Sequence, residues 1–482
     1  MGPNRSAGAL LSSIRRRYVG LQDVGLRSAV LGVTERRKSA SMAVDACVLE
    51  PWFGLGIVRS VLSAAAAAAV ATVVVRTQQV AHADDQNSGI RPMRRSTSVY
   101  ACGLNLSGQL GNGSDRVAAS PVPLTDLSSD MIVKVAAGNH SSAAVSGDGR
   151  LFTWGNGSYG ILGHGDEANL SLPRQIESLG GSGATEAPAR SSSAVTDVAV
   201  GGFHMLCTTA SGQLFSWGQG QAHARKGDAS IPMPVTDVPR PVVSISTGRK
   251  HSAVVTDDGA VYTWGSGHSG ALGHGSKVDE AAPKRVSALE GIRAVQVACG
   301  RDFTLILTDT GDVYSCGADD FGQLGNGRSH GERFVRLPKK VLLGHANHVI
   351  RIAAGDYHAV ATDSQGALFS WGYNRDGQLG NGEKTDTAIP KPVVLPSPGA
   401  SSHPKPKIDA LSCGGGHTAV VVNGDLLVFG RGRDGQLGRG TELESNAAYR
   451  TTPVRVESVP RGQVRGVAAG ADHTLILVAA TD

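Results

Sequence analysis

Glycine-rich motifs are the first candidates for chemistry in this sequence of 482 residues. Three segments match the letters of a dinucleotide-binding fingerprint, namely Gly155-x-Gly157-x-x-Gly160, Gly265-x-Gly267-x-x-Gly270 and Gly430-x-Gly432-x-x-Gly435. That fingerprint holds a pyrophosphate only where a strand leads into the N-terminus of a helix. Each segment instead runs directly into Leu-Gly-x-Gly, which ends rather than begins a helix. These glycines therefore predict turns, and no cofactor is indicated.

Histidine and cysteine are the next candidates, because they could bind a metal or act in catalysis. A Gly-x-x-His motif recurs with His204, His251, His358, His417 and His473, whereas two units have Ser141 and Phe303 at that position. No close His/Cys pair of the kind found in zinc sites is present, so we expect a repeated structural hydrogen bond. The six cysteines include no Cys-x-x-Cys. No nucleophile stands beside a base, so the sequence predicts neither metal nor catalytic residues, and no enzyme.

These motifs belong to a repeated unit of about fifty residues. Its clearest copy is Val242–Gly275, in which two strands flank the hairpin turn Asp257-Asp258-Gly259. An earlier strand and a later Pro-x-x-Val segment bring the count to four short strands. The glycine that closes each aromatic strand marks seven units, at Gly103, Gly155, Gly218, Gly265, Gly317, Gly372 and Gly430.

The two ends of the repeat region complement each other. Val464–Val478 is the first half of a unit without a second half, and Ser98–Gly113 is a second half without a first. Joined together, they complete one blade and close a ring. The sequence therefore predicts an all-β, seven-bladed β-propeller of four-stranded blades over residues 99–482, whose last blade is closed by both termini.

The repeats resemble the regulator of chromosome condensation repeat family. The resemblance rests on Gly-x-x-His, a hairpin, aromatic-Gly and Gly-Gln-Leu-Gly-x-Gly, which recur in register over residues 99–482. It implies a seven-bladed propeller whose termini share a blade. It leaves function open, because similar propellers serve as exchange factors for small GTPases, chromatin-bound proteins, photoreceptors and assembly factors. Light sensing is not expected, since Gly248–His251 and Gly355–His358 lack the tryptophan of the plant ultraviolet-B photoreceptor's Gly-Trp-Arg-His-Thr pattern.

Residues 1–98 have the composition of a targeting leader. They hold 13 of the 46 Lys and Arg residues but 6 of the 41 Asp and Glu residues, so the repeat region is nearly neutral and generic nucleic-acid binding is not expected. Their Arg-rich, Ser-rich start is typical of an organellar transit peptide. The apolar stretch 52–75 is a marginal membrane segment, and Ala81-His82-Ala83 has the form of a cleavage site. We expect a mitochondrial, inner-membrane location. A plastid leader and a nuclear basic arm are the alternatives.

The loops that follow the aromatic-Gly strands vary in charge, as expected of a recognition surface on a rigid scaffold. The third unit also departs from the repeat, because Gln219–Pro241 keeps no Leu-Gly-x-Gly. Solvated turns are the alternative interpretation. The candidate partner-binding residues are Arg225, Lys226, Asp319, Asp320, Arg375, Asp376, Arg431, Arg433 and Asp434.

The sequence therefore favours a non-catalytic protein-binding propeller that acts as a mitochondrial scaffold or assembly factor. The cationic candidates suit an acidic protein partner. A guanine-nucleotide exchange factor for a small GTPase is the main alternative, and a chromatin-associated protein is a third.

Overall fold

The computed structural model describes residues 97–179, 192–223, 227–327, 333–344, 346, 348–396, 405–440 and 448–479. The predicted leader, with its apolar stretch 52–75, lies outside these residues, apart from the last two positions, 97 and 98. Within the described part of the chain, no helix combines the length and the apolar character needed to cross a membrane.

Strands dominate the described residues. The first half of the chain contains β1 (Thr97–Gly103), β2 (Ala118–Pro123), β3 (Ile132–Ala137), β4 (Ser141–Ser146), β5 (Leu151–Gly155), β6 (Leu170–Gln175), β7 (Val195–Val200), β8 (His204–Thr209), β9 (Leu214–Gly218), β10 (Ala229–Val235), β11 (Val242–Thr247), β12 (His251–Thr256), β13 (Val261–Gly265) and β14 (Glu280–Arg285). The second half contains β15 (Ala294–Cys299), β16 (Phe303–Thr308), β17 (Val313–Ala318), β18 (Phe334–Lys340), β19 (Val349–Ala354), β20 (His358–Asp363), β21 (Leu368–Gly372), β22 (Thr387–Val393), β23 (Ile408–Cys413), β24 (His417–Val422), β25 (Asp425–Arg431), β26 (Tyr449–Arg455), β27 (Val464–Ala469) and β28 (His473–Ala479). Short 3₁₀ segments cover Thr125–Leu127, Ser158–Gly160 and Ser287–Leu289.

The strands form seven four-stranded antiparallel sheets, one for each blade. We number the blades by the unit that supplies the aromatic-Gly strand, so blade 1 has the order β2-β1-β28-β27 and blade 2 consists of β3–β6. Blades 3 to 7 follow in chain order. In blade 1, β1 pairs with β28 from Thr97 opposite Ala479 to Gly103 opposite His473. The predicted propeller and its closure by the two ends of the repeat region are confirmed.

The burial of each strand follows its place in the blade. The second strand, such as β12 with the sequence HSAVVT, is buried at all six positions because both of its faces pack against neighbouring blades. The outermost strand, such as β14, is largely exposed and contains a proline, as expected at a sheet edge. Four tryptophans are fully buried in the core between blades, at Trp154, Trp217, Trp264 and Trp371.

Candidate protein-binding face

The turns that join the first and second strands of the blades form a closed ring around the propeller axis. The Arg249 N–H donates to the Arg301 carbonyl at 3.1 Å, and the Arg301 N–H donates to the Asp356 carbonyl at 3.3 Å. Equivalent bonds join the other neighbouring blades, and the Ala471 N–H donates to Gly138 O at 3.1 Å to complete the circle. The backbone of all seven turns is therefore fixed.

Each turn is also tied to the end of the aromatic-Gly strand of its own blade. In blade 4 the Ser266 N–H donates to Lys250 O at 2.8 Å, and a bond of this type occurs in every blade. Gly265, with φ of +99°, must be glycine because a Cβ would collide with that carbonyl. Since antiparallel strands alternate in direction, these turns and the loops after the aromatic-Gly strands share one face. The two positions between Gly and the histidine position hold different residues from one turn to the next.

The repeated histidines hydrogen-bond to the next blade, as predicted. Nε2 lies 2.7 to 3.0 Å from a Ser or Thr hydroxyl in the pairs His204–Ser252, His251–Thr304, His358–Thr418, His417–Thr474 and His473–Ser142. The hydroxyl donates to a loop carbonyl, for example Thr418 Oγ1 to Gln378 O at 2.9 Å. Because a hydroxyl has one proton, Nε2 of the histidine must be the donor.

Burial fixes the histidines in their neutral form. It lowers the pKa of His204, His358, His417 and His473 to about 3, and that of His251 to about 4. The glycine of Gly-x-x-His follows from the same packing, because a Cβ on Gly248 would collide with the His251 ring. Within the described ranges, no group of three or more His, Cys, Asp or Glu residues could hold a metal ion.

The two exceptions to the histidine pattern are matched by changes in the next blade. Ser141 and Phe303 replace the histidine in blades 2 and 5. At the position where the other blades have the accepting hydroxyl, the following blades have Met205 and Ala359. The donor and its acceptor are thus absent together, which avoids leaving one of them buried without a partner.

Ion pairs on this face join residues within a blade and between neighbouring blades. Arg301 lies 3.6 Å from a carboxylate oxygen of Asp302 and 3.8 Å from one of Asp356. Arg431 likewise contacts Asp434 at 2.7 Å and Asp472 at 3.3 Å. Burial raises the pKa of Asp356 and of Asp472, while the neighbouring arginine opposes the rise in each case.

Four of the predicted site residues come together where blades 6 and 7 meet. Asp376 is half-buried, which raises its pKa, and the charges of Arg431 and Arg433 act in the opposite direction. Arg433 is exposed, with its guanidinium carbon 4.7 Å from the centroid of the Tyr449 ring. Asp434 is held by Arg431. Arg375 is exposed on the same loop as Asp376.

The remaining predicted site residues do not lie at the junction of blades 6 and 7. Asp319 in blade 5 is buried, and its carboxylate accepts the Leu324 N–H at 3.1 Å, so it holds its own loop together. Asp320 is exposed and lies 4.0 Å from Arg333. Arg225 and Lys226 lie outside the described residues.

Up to the carbonyl that accepts the hydroxyl of the next blade, the loop of blade 3 is two residues shorter than that of blade 4. Ser252 donates to the carbonyl of Ala222, four residues after Gly218. The equivalent acceptor in blade 4 is Ala271, six residues after Gly265. One consequence is seen at Trp264 in the next blade. Its buried indole N–H has no hydrogen-bond acceptor among the described residues.

Several aromatic and cationic residues on this face were not predicted from the sequence. The ring centroids of Tyr159 and Phe203 are 5.7 Å apart in an edge-on arrangement. Arg249 and Lys250 approach the Phe203 ring to 5.7 and 5.6 Å. A second aromatic group combines Phe321, Tyr357 and Tyr373. The signal that could have found most of them is the pair of variable positions inside Gly-x-x-His.

Comparison with family models places this geometry in a known group. A model described as "RCC1-like domain" matches residues 182–482, and the "Regulator of chromosome condensation (RCC1) repeat" model matches residues 98–145 and 148–208. The chain belongs to the RCC1 repeat family.

This RCC1-family chain is similar to proteins with diverse names. It is 35% identical to the human E3 ubiquitin-protein ligase HERC2 over 66% of the chain, a match that spans only 6% of the ligase. It is 32% identical to the ultraviolet-B receptor UVR8 of Arabidopsis thaliana, over 72% of the chain and 76% of the receptor. RUG3, a mitochondrial RCC1 domain-containing protein of the same plant, is 28% identical over 79% of the chain and 88% of its own length.

Solved structures share the fold of this RCC1-family chain. Human WBSCR16 superimposes with a TM-score of 0.70 at 24% identity, covering 80% of the chain and all of that structure. Prp20p of Saccharomyces cerevisiae gives a TM-score of 0.67 at 20% identity, covering 82% of the chain and 97% of Prp20p.

Proposed function

We propose that this chain is a non-catalytic protein-binding propeller that acts in mitochondria as a scaffold or assembly factor. The observation that carries the proposal is the closed ring of backbone hydrogen bonds on one face. It fixes seven turns in space, and the two positions before the histidine position hold different residues from turn to turn, which suits recognition by a rigid, preorganised surface.

The buried cysteines and histidines are in states that do not favour catalysis. Burial raises the pKa of Cys102 and Cys299 to about 12, so these thiols stay protonated and unreactive. The buried histidines are neutral and already bonded to hydroxyls that serve blade contacts. Among the described residues, the groups with the largest shifts are thus buried cysteines and histidines, whose burial keeps them uncharged. The ligase activity in the name of HERC2 belongs to a protein of which the match spans 6%.

The mitochondrial location is supported by two independent observations. Residues 1–42 are rich in Arg and Ser and poor in acidic residues. RUG3, which resembles the chain over most of both lengths, is named as a mitochondrial protein. Inner-membrane association rests on the apolar stretch 52–75 alone.

Exchange activity toward a small GTPase is the second candidate function. Its support is the same polar face, together with the fold shared with Prp20p, a protein with binding properties to Gsp1p and histones. Such activity requires no nucleophile or metal, only contacts that release a nucleotide from the partner.

The proposal is tested by charge reversal on the face. The variant Arg375→Glu/Arg433→Glu alters two exposed cations near the junction of blades 6 and 7, while Lys405→Glu/Arg461→Glu makes the same charge change at the opposite face. After thermal unfolding shows that both variants are folded, mitochondrial proteins cross-linked to each full-length variant are quantified. We expect at least a fivefold loss of specific partners for the first variant only.

Three other results would count against the proposed binding surface or the proposed function. Equal recovery with both variants would exclude the junction of blades 6 and 7 as a binding surface. If the wild type recovers no specific mitochondrial protein, the scaffold proposal fails. Accelerated nucleotide release from a purified GTPase would instead support the exchange-factor function.

A further inference from the structure

We propose that Tyr159, Phe203, Arg249 and Lys250, here called the cation–aromatic cluster, form the docking site for an acidic segment of the protein partner. The inference rests on the proposed function and specifies where on the face the partner binds and by what chemistry. The four residues come from blades 2, 3 and 4, and they surround the Phe203 ring.

The short loop of blade 3 explains why the cluster is open. In blades with the longer loop, the fourth residue after the closing glycine covers the second variable residue of the next blade. Ser269 Oγ thus donates to Asp302 O at 2.9 Å, and the Phe321 ring lies 5.3 Å from that of Tyr357. In blade 3 the fourth residue is already the buried Ala222. Among the described residues, Lys250 therefore lacks that cover, and it lies with Arg249 against Phe203.

The two cations of the cluster form no close ion pair among the described residues, although the charge of Arg249 also acts on Asp356. Among the described residues, neither Arg249 nor Lys250 has a carboxylate oxygen within 4.0 Å, whereas Arg301 on the same face contacts two carboxylates. Both cations lie near an aromatic ring at half-buried positions, where an ion pair is less screened by water than at an exposed site. An incoming carboxylate would therefore find a forked guanidinium donor and an ammonium together.

Tyr159 adds an apolar wall to the cluster. It is 37% exposed, and its φ of +62° is a left-handed conformation that costs a non-glycine residue free energy. That conformation presents the ring beside Phe203, where an apolar side chain of the partner can pack against both. Strain kept at an exposed aromatic residue is typical of a functional position. The preferred ligand is thus a segment in which Asp or Glu neighbours a large apolar residue.

Charge on the rest of the face favours a protein segment over a nucleic acid. Asp302, Asp356 and Asp472 lie in equivalent turns of the same ring. Because these carboxylates pair with Arg301 and Arg431, those two cations are not available to a phosphodiester backbone, and the repeat region lacks the positive excess that backbone binding requires. A short acidic peptide can instead contact the two cations alone.

Site-specific photo-cross-linking tests the proposal in the full-length protein. Benzoylphenylalanine is placed at position 159 and, as the matched control, at the aromatic position 373 in the other sector of the face. Cross-linked partner peptides are then mapped by mass spectrometry. We expect peptides rich in Asp and Glu at position 159, with a yield that falls at least tenfold in Arg249→Glu/Lys250→Glu and in the milder Arg249→Gln/Lys250→Gln, but not in Lys405→Glu/Arg461→Glu on the opposite face.

Three outcomes would overturn the proposal. Cross-linked peptides without acidic enrichment, or cross-linked nucleic acid, would reject the assigned ligand. Protein cross-links at position 373 but none at position 159 would reject the cluster while leaving the proposed function intact. Cross-links to protein at neither position, together with a failed partner recovery, would count against the proposed function itself.

Discussion

Nε2 of His473 in blade 1 lies 2.9 Å from Oγ of Ser142 in blade 2. The two residues are 331 positions apart, and their hydrogen bond joins the last strand of the chain to the blade that follows the first. With the bond from Ala471 to Gly138, it closes the propeller on the same face that carries the candidate site.

Removal of residues 464–482 should destabilise the entire propeller. It deletes β27 and β28, exposes the edge of β1 and opens the ring of hydrogen bonds between turns. We expect a loss of more than about 4 kcal/mol or of cooperative unfolding, measured by thermal and denaturant melts. Deletion of residues 480–482 alone, beyond β28, is the control. Unchanged cooperative unfolding of the longer deletion would contradict closure by the ends.

The pair His358–Thr418 should behave as a coupled unit. Thr418→Ala alone leaves the buried Nε2–H and the Gln378 carbonyl without their partner, and we expect it to cost about 1–3 kcal/mol. The double variant His358→Phe/Thr418→Ala recreates the natural pair Phe303 and Ala359. Denaturant unfolding should show a coupling free energy above about 0.5 kcal/mol that favours the double variant. Strictly additive effects would argue against the coupling.

Stability should fall as the solution becomes more acidic than pH 6.5. The five buried histidines have pKa values of about 3 to 4 in the folded state, against an ordinary value of 6.5. The unfolded chain therefore binds protons below pH 6.5 that the folded chain does not bind. The free energy of unfolding keeps falling as the pH is lowered, until the pH reaches the pKa of the histidines in the folded state. Each histidine contributes up to about 1.4 kcal/mol per pH unit in this window.

The measurement is the denaturant midpoint between pH 7.5 and 5.5. This range limits the opposing effect of Asp356 and Asp472, whose raised pKa values favour the folded state in acid. The variant His358→Phe/Thr418→Ala should show a shallower slope than the wild type. A flat profile in the wild type would mean that the histidines are not buried in neutral form.

Residues 1–98 should direct a fluorescent reporter to mitochondria. The physical reason is the Arg-rich, acid-poor composition of residues 1–42, followed by the apolar stretch 52–75. Microscopy with organelle markers and fractionation provides the measurement, and a fusion in which Arg15, Arg16 and Arg17 are replaced by Glu is the control. Nuclear, plastid or secretory fluorescence of the unaltered fusion would reject the mitochondrial prediction.

The repeat and the seven blades follow from the sequence because every unit has the same strand and turn signals, and the closure of the ring follows from the complementary half-units at the two ends. The hydrogen bond made by the motif histidine was also predictable. Its acceptor was not, since the hydroxyl of Thr418 lies in the blade after that of His358 and no periodicity within one unit reports contacts between units.

Which polar residues are available to a partner depends on how the blades pack, and this could not be predicted from the sequence. Asp319 and Asp320 are adjacent in sequence, yet the first is buried by its own loop and the second is exposed. Tyr159 and Lys250 are distant in sequence, but both lie beside the Phe203 ring. The repeat sets the position of the backbone, whereas the packing of neighbouring blades decides which side chains meet and which ones face solvent.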